Sequence, residues 1–128
     1  MGSDPREISV KYLAAVGQKR FEEVAQYLHP ELRFEMPGKT IEGAKGYISA
    51  LQRLGPILLR NEIEKVFVDG EDVCLIYQFV TDTKVGAVPS MEWLKIEGGL
   101  IKTVRLLFHS QPWPAVLDEL ARRTAQVA

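Results

Sequence analysis

The chain has 128 residues, 46% hydrophobic and 26% charged, with a net charge of −1, which suits one soluble globular domain, residues 1–128, burying roughly two-thirds of its unfolded surface. No basic run supplies the field that nucleic-acid binding needs, and no apolar run approaches the roughly 20 residues of a membrane span. The single cysteine, Cys74, excludes an internal disulfide and a cysteine-based zinc cluster, so a reducing cytoplasm is the expected compartment. Met1-Gly2-Ser3 carries no charged-then-apolar leader pattern and is expected to be a cloning scar.

Asp4-Pro5-Arg6-Glu7 reads as a helix start, with Asp4 as N-cap, Pro5 in the first turn and Glu7 at the capping-box position. Ile8, Tyr12, Ala15 and Val16 recur at helical spacing, and Gly17 is expected to end the helix. A second, shorter helix begins near Lys19, turns Phe21, Val24, Ala25 and Leu28 inward, and stops at His29-Pro30, because the residue before proline avoids the α region. Residues 32–36 alternate as a strand with Leu32, Phe34 and Met36 inward, broken by Pro37-Gly38. A third helix, about residues 44–54, carries Tyr47, Ile48, Leu51 and Leu54 on one stripe and ends at Gly55-Pro56.

From Arg60 onward the period becomes 2. Residues 61–69 form a strand, Gly70-Glu71-Asp72 a turn, and residues 73–83 a strand that is apolar on both faces. Strands over residues 85–96 and 100–109 follow, joined by Glu97-Gly98-Gly99, whose glycines suit the positive φ of a tight hairpin. A helix over about residues 112–124 offers Trp113, Val116, Leu117 and Leu120 for docking. The order ααβαββββα, with most strands after the helices, points to an α+β fold: a curved, mostly antiparallel sheet closing over helices.

Glu92 stands out. Alternation places it with Leu94 and Ile96 on one strand face and Trp93, Lys95 and Glu97 on the other. An unpaired buried carboxylate costs several kcal/mol or stays protonated. Glu92 therefore reads as a raised-pKa donor or acid/base, or else as a residue that sits at the sheet rim or pairs with a lysine across strands.

Four stretches carry a family resemblance: Val10-Lys11-Tyr12-Leu13-Ala14-Ala15 in the first helix, Phe34-Glu35-Met36-Pro37-Gly38 at the first strand and its exit, Ile41-Glu42-Gly43-Ala44-Lys45-Gly46-Tyr47-Ile48 leading into the third helix, and residues 104–108 followed by Pro112. Together they resemble the NTF2-like superfamily, in its branch of ketosteroid isomerases and SnoaL-like polyketide cyclases. The resemblance implies a cone in which helices plug a bent sheet and leave an apolar pocket at the open end. It also implies a homodimer through the outer sheet face. Tyr12 matches the tyrosine that donates to a substrate oxyanion, and Glu92 falls where the isomerases keep a protonated aspartic acid as second donor. The aspartate that serves them as base aligns with Met36, which has no proton chemistry. The usual steroid double-bond isomerisation is thus not what this resemblance implies.

Tyr12 is then an oxyanion donor or a core tyrosine. The expected pocket lining adds Phe34, Met36, Gln78, Leu94, Val104, Leu106 and Phe108, with Gln78 as a polar contact inside it or bonded to backbone. Glu35 alternates outward, as does His109, while His29 belongs to its helix-stopping His-Pro and Cys74 reads as a small buried hydrophobe. Arg105 lies opposite the Val104/Leu106/Phe108 face, which argues against the limonene epoxide hydrolase variant of the fold, whose chemistry needs two carboxylates and an arginine on one water. The two histidines are too far apart in the pattern for a metal site, and no Gly-rich loop seats a nucleotide, so neither metal nor cofactor is expected. The expected ligand is a small, largely apolar molecule bearing a carbonyl or phenolic oxygen. Two functions remain open: cofactor-free proton transfer of the isomerase, cyclase or lyase kind by Tyr12 and Glu92, or a non-catalytic ligand-binding or dimerisation module. A third reading is a protein-interaction face built from Trp93, Lys95 and Arg105.

Overall fold

The computed structural model describes residues 4–127, so the expected scar at residues 1–3 lies outside the described residues. Its elements are α1 (Pro5–Gly17), α2 (Phe21–Tyr27), β1 (Leu28–Met36), β2 (Lys39–Glu42), α3 (Ala44–Arg53), β3 (Leu58–Asp69), β4 (Asp72–Thr81), β5 (Ala87–Glu97), β6 (Leu100–Phe108) and α4 (Trp113–Val127). The strands form one unclosed, curved sheet in the order β2-β1-β6-β5-β4-β3. Every neighbouring pair is antiparallel except β1 and β6. This is the α+β architecture expected from the element order.

The start of α1 is capped as its sequence requires: the Asp4 carboxylate accepts from the Arg6 N–H at 3.0 Å. Glu7 does not close a capping box; it pairs instead with Lys11 one turn on, at 2.6 Å. Gly17 is the last helical residue rather than the left-handed stop, a conformation taken by Lys19 at φ 61°. The glycine is needed for approach: a Cβ there would lie 2.6 Å from the Asn61 backbone nitrogen. The second helix is shorter than its pattern suggested. Ala25 is exposed, and Leu28 is already extended at ψ 135° and opens β1.

β2 is absent from the sequence reading. Four residues are too few to show a period, yet the Pro37-Gly38 turn, with Gly38 at φ 77°, folds Lys39 back beside Met36 and Ile41 beside Phe34. The β5–β6 hairpin follows its expectation, with Gly98 and Gly99 at φ 59° and 81°.

The core lies between the inner sheet face and α1. Val73, Leu75 and Tyr77 of β4, Leu94 and Ile96 of β5, and Ile101 and Val104 of β6 pack with Ile8, Tyr12, Leu13 and Val16. Fully burying one such aliphatic side chain contributes about 1.5–3 kcal/mol. α4 closes the open end: Trp113 sets its ring edge-on to Phe79 and Phe108, at 5.9 and 5.3 Å between centroids. Farther along, Arg123 donates to the Pro56 carbonyl at 3.0 Å. Among the described residues nothing covers the outer sheet face, where Phe67, Met91, Trp93 and Leu107 are all exposed around a hollow of about 760 Å³. Cys74 sits on that face half-buried, not in the core as expected.

Candidate active site

Between the inner sheet face, α1, α3 and α4 lies a cavity of about 470 Å³, inside the range of about 300–1,000 Å³ typical of small-molecule sites. Its walls are mostly aliphatic and aromatic, with Glu92 as the one carboxyl among the described lining residues. Strand pleat explains the placement. Glu92 stands opposite Leu75 on β4 and Leu106 on β6, on the face that also carries Ser90 and Leu94.

Glu92 is 4% exposed, with no cation paired to it among the described residues. Its Oε2 accepts from the Tyr77 hydroxyl at 2.5 Å, and its Oε1 has no hydrogen-bond partner. Register makes the first contact. Tyr77 pairs with Ser90, so it is the diagonal neighbour of Glu92, at the ~7–8 Å offset that long side chains bridge. Burial pushes the Glu92 carboxyl up from 4.5 to about 7, against the opposing pull of the Tyr77 and Tyr12 phenols. Burial, reinforced by the Glu92 charge, holds all three phenols of Tyr12, Tyr47 and Tyr77 well above the ordinary tyrosine range, so they stay neutral donors.

Tyr12 from α1 and Tyr47 from the first turn of α3 share a hydrogen bond between their hydroxyls. Tyr47 also stacks on Phe34, with centroids 4.7 Å apart. These contacts tie the two helices to β1 behind the carboxyl. Among the expected site residues, Glu92, Phe34, Met36, Leu106 and Phe108 line the cavity. Tyr12, Leu94 and Val104 do not; they are buried in the core behind its wall. Gln78 is misplaced by the sequence reading. On β4 the inward residues are Val73, Leu75, Tyr77 and Phe79, so Gln78 faces outward and donates to Glu64 at 3.4 Å. A strand apolar on both faces gives no sign of which is inside, and choosing the other face inverts every residue.

Tyr47 and Tyr77 are the site residues that sequence reasoning missed. Tyr77 carried a usable signal, since it shares a face with Leu75 and Phe79, but only the β4–β5 register sets it beside Glu92. Glu35 points outward as expected and pairs with Arg33 and Arg105, the latter at 3.3 Å. His109 is exposed, and the His29 Nδ1 accepts from the Glu31 N–H at 3.0 Å, a local backbone role. No group of three or more His, Cys, Asp or Glu side chains is arranged to hold a metal ion among the described residues. Nor is any described helix long and apolar enough to cross a membrane.

A family model described as the SnoaL-like domain matches residues 10–104, well over half of the chain. The chain belongs to the SnoaL-like family. Solved structures agree on the fold. An NTF2-like protein of unknown function from Cytophaga hutchinsonii is 21% identical over 86% of this chain and 94% of its own, with a TM-score of 0.75. A candidate SnoaL-like polyketide cyclase from Shewanella putrefaciens is 16% identical over 90% and 96%, with a TM-score of 0.75. A candidate ketosteroid isomerase from Kribbella flavida is 20% identical over 82% and 77%, with a TM-score of 0.74. No curated protein matches the chain. The SnoaL-like fold includes isomerases and cyclases, and here it surrounds a buried carboxyl in an apolar cavity.

Proposed function

We propose that this SnoaL-like protein binds a small, largely apolar molecule carrying a carbonyl, enol or phenolic oxygen and moves a proton on it without a cofactor. One observation carries this reading: Glu92 is buried at the cavity wall with a pKa of about 7, one oxygen fixed by Tyr77 and the other without a partner. A carboxyl of that pKa is present in both protonation states near neutral pH and so gives and takes a proton with little cost. Burial keeps the surrounding phenols neutral, so that a protonated Glu92 is the group placed to donate to a ligand oxygen on which negative charge develops. Tyr77 orients the carboxyl, and Tyr12, behind the cavity wall, acts on the Glu92 carboxyl rather than by touching the ligand.

A second reading has its own support. Met36 lines the cavity where the resemblance places the isomerase base, leaving Glu92 to act alone. On that reading the same cavity binds without turnover. Exchange of the α-protons of cyclic ketones into deuterated water, followed by NMR, separates the two. An acid/base Glu92 predicts enzyme-dependent exchange that drops by roughly 10²–10⁴ in Glu92→Gln. Equal exchange in both proteins refutes it. Absence of exchange with retained binding of 2-naphthol leaves the binding module. We also propose that the uncovered outer face, with Phe67, Trp93 and Leu107 exposed, pairs with a second copy of the chain.

A further inference from the structure

The cavity mouth is cationic. Two charged side chains besides Glu92 line the cavity, Lys39 at the start of β2 and Arg53 in the last turn of α3, and both are exposed, which places them at the opening. Neither joins a salt bridge among the described residues. The acids nearest in sequence are engaged elsewhere: Glu42 is held by Arg33, and Glu35 by Arg33 and Arg105. α3 carries no acidic residue, and the α4 residues on the cavity, Trp113, Leu117 and Leu120, are apolar. A cation in the last turn of a helix offsets the partial negative charge there. That accounts for Arg53 but not for Lys39, which belongs to another element and lines the same cavity.

An apolar cleft with one sign of charge at its mouth concentrates the field and attracts an ion of the opposite sign. At the inner end the walls offer a carboxyl and neutral phenols, which suit an uncharged or enolic oxygen. We propose that the ligand is an amphiphilic monoanion, with its oxygen-bearing ring end inside against Glu92 and Tyr77 and a carboxylate or sulfonate at Lys39 and Arg53. The proposal rests on reading the cavity as a ligand site and adds the charge and direction of the ligand.

Two fluorescent probes that differ by one group test it: 2-naphthol, and 6-hydroxy-2-naphthoate, whose carboxyl is ionised at about pH 6 because ordinary carboxyls titrate near about 4. The carboxylate probe should bind about tenfold more tightly at low salt, and its advantage should shrink as salt is raised. The double variant Lys39→Gln/Arg53→Gln should bring the affinity ratio of the two probes to within about twofold of one. Charge reversal in Lys39→Glu/Arg53→Glu should push the ratio below one. All four substitutions fall on exposed positions, and far-ultraviolet circular dichroism checks that the variants fold. Equal or tighter binding of 2-naphthol by the wild type, or a ratio unmoved by both double variants, overturns the proposal while the cavity reading stands. If neither probe binds the wild type, the cavity reading itself fails and takes the proposal with it.

Discussion

Replacing Glu92 with glutamine should remove a pH dependence from the stability of the fold. Burial raises this carboxyl from 4.5 unfolded to about 7 folded. A group whose folded pKa is raised contributes stability that is fully present below the unfolded pKa and is lost as pH rises through the folded one. The contribution of Glu92 is therefore complete below pH 4.5 and gone above about pH 7. At about 1.4 kcal/mol per pH unit, the loss across that window is about 3 kcal/mol, a large share of the roughly 5–15 kcal/mol that holds a domain together. Glutamine keeps the size and still accepts from Tyr77, but it cannot ionise. Its unpaired N–H costs about 1–3 kcal/mol at every pH, which lowers the curve without tilting it. Glu35 and Asp72, both held below their ordinary values by their partners, tilt stability only at more acid pH and do so equally in both proteins. Urea denaturation followed by tryptophan fluorescence, repeated from about pH 4.5 to about pH 8.5, reads the difference directly. Wild-type stability should fall steadily across the window while Glu92→Gln stays flat. Tyr77→Phe, which deletes a contact that lowers the Glu92 pKa, should move the fall to higher pH. Parallel curves for wild type and Glu92→Gln would refute the buried, titrating carboxyl.

The backbone approach at Gly17 gives a second prediction: Gly17→Ala should cost about 1–3 kcal/mol in thermal or chemical denaturation, because its Cβ meets the Asn61 nitrogen at 2.6 Å. Since alanine is the better helix former by about 1 kcal/mol, a stabilised variant would show that the approach is looser than described. The outer face gives a third. The wild type should sediment as a dimer at micromolar concentration, and Leu107→Glu, an exposed position on that face, should shift it to monomer while circular dichroism shows the fold retained; the unfolding midpoint should fall toward the monomer's, because pairing stabilises the folded chain. A monomeric wild type would refute the pairing.

The sequence alone determined most of the architecture and the central site residue, because both follow from periods within single elements. Asp4-Pro5 starts α1, Gly98-Gly99 turns β5 into β6, and alternation puts Glu92 beside Leu94 and Ile96 on one strand face. These are local facts of backbone chemistry and pleat, complete once the residues are written down. Tertiary structure decided what depends on register and on which face is covered. It turned Tyr77 rather than Gln78 inward, set Tyr77 diagonally on Glu92, and brought Tyr47 of α3 to Tyr12 of α1 across 35 positions of chain. It also folded β2 back on β1, which carries Lys39 to the cavity. The physical reason is the same in each case: a pattern along one strand states that two faces differ, or fails to, while only the packing of other elements states which of them meets water.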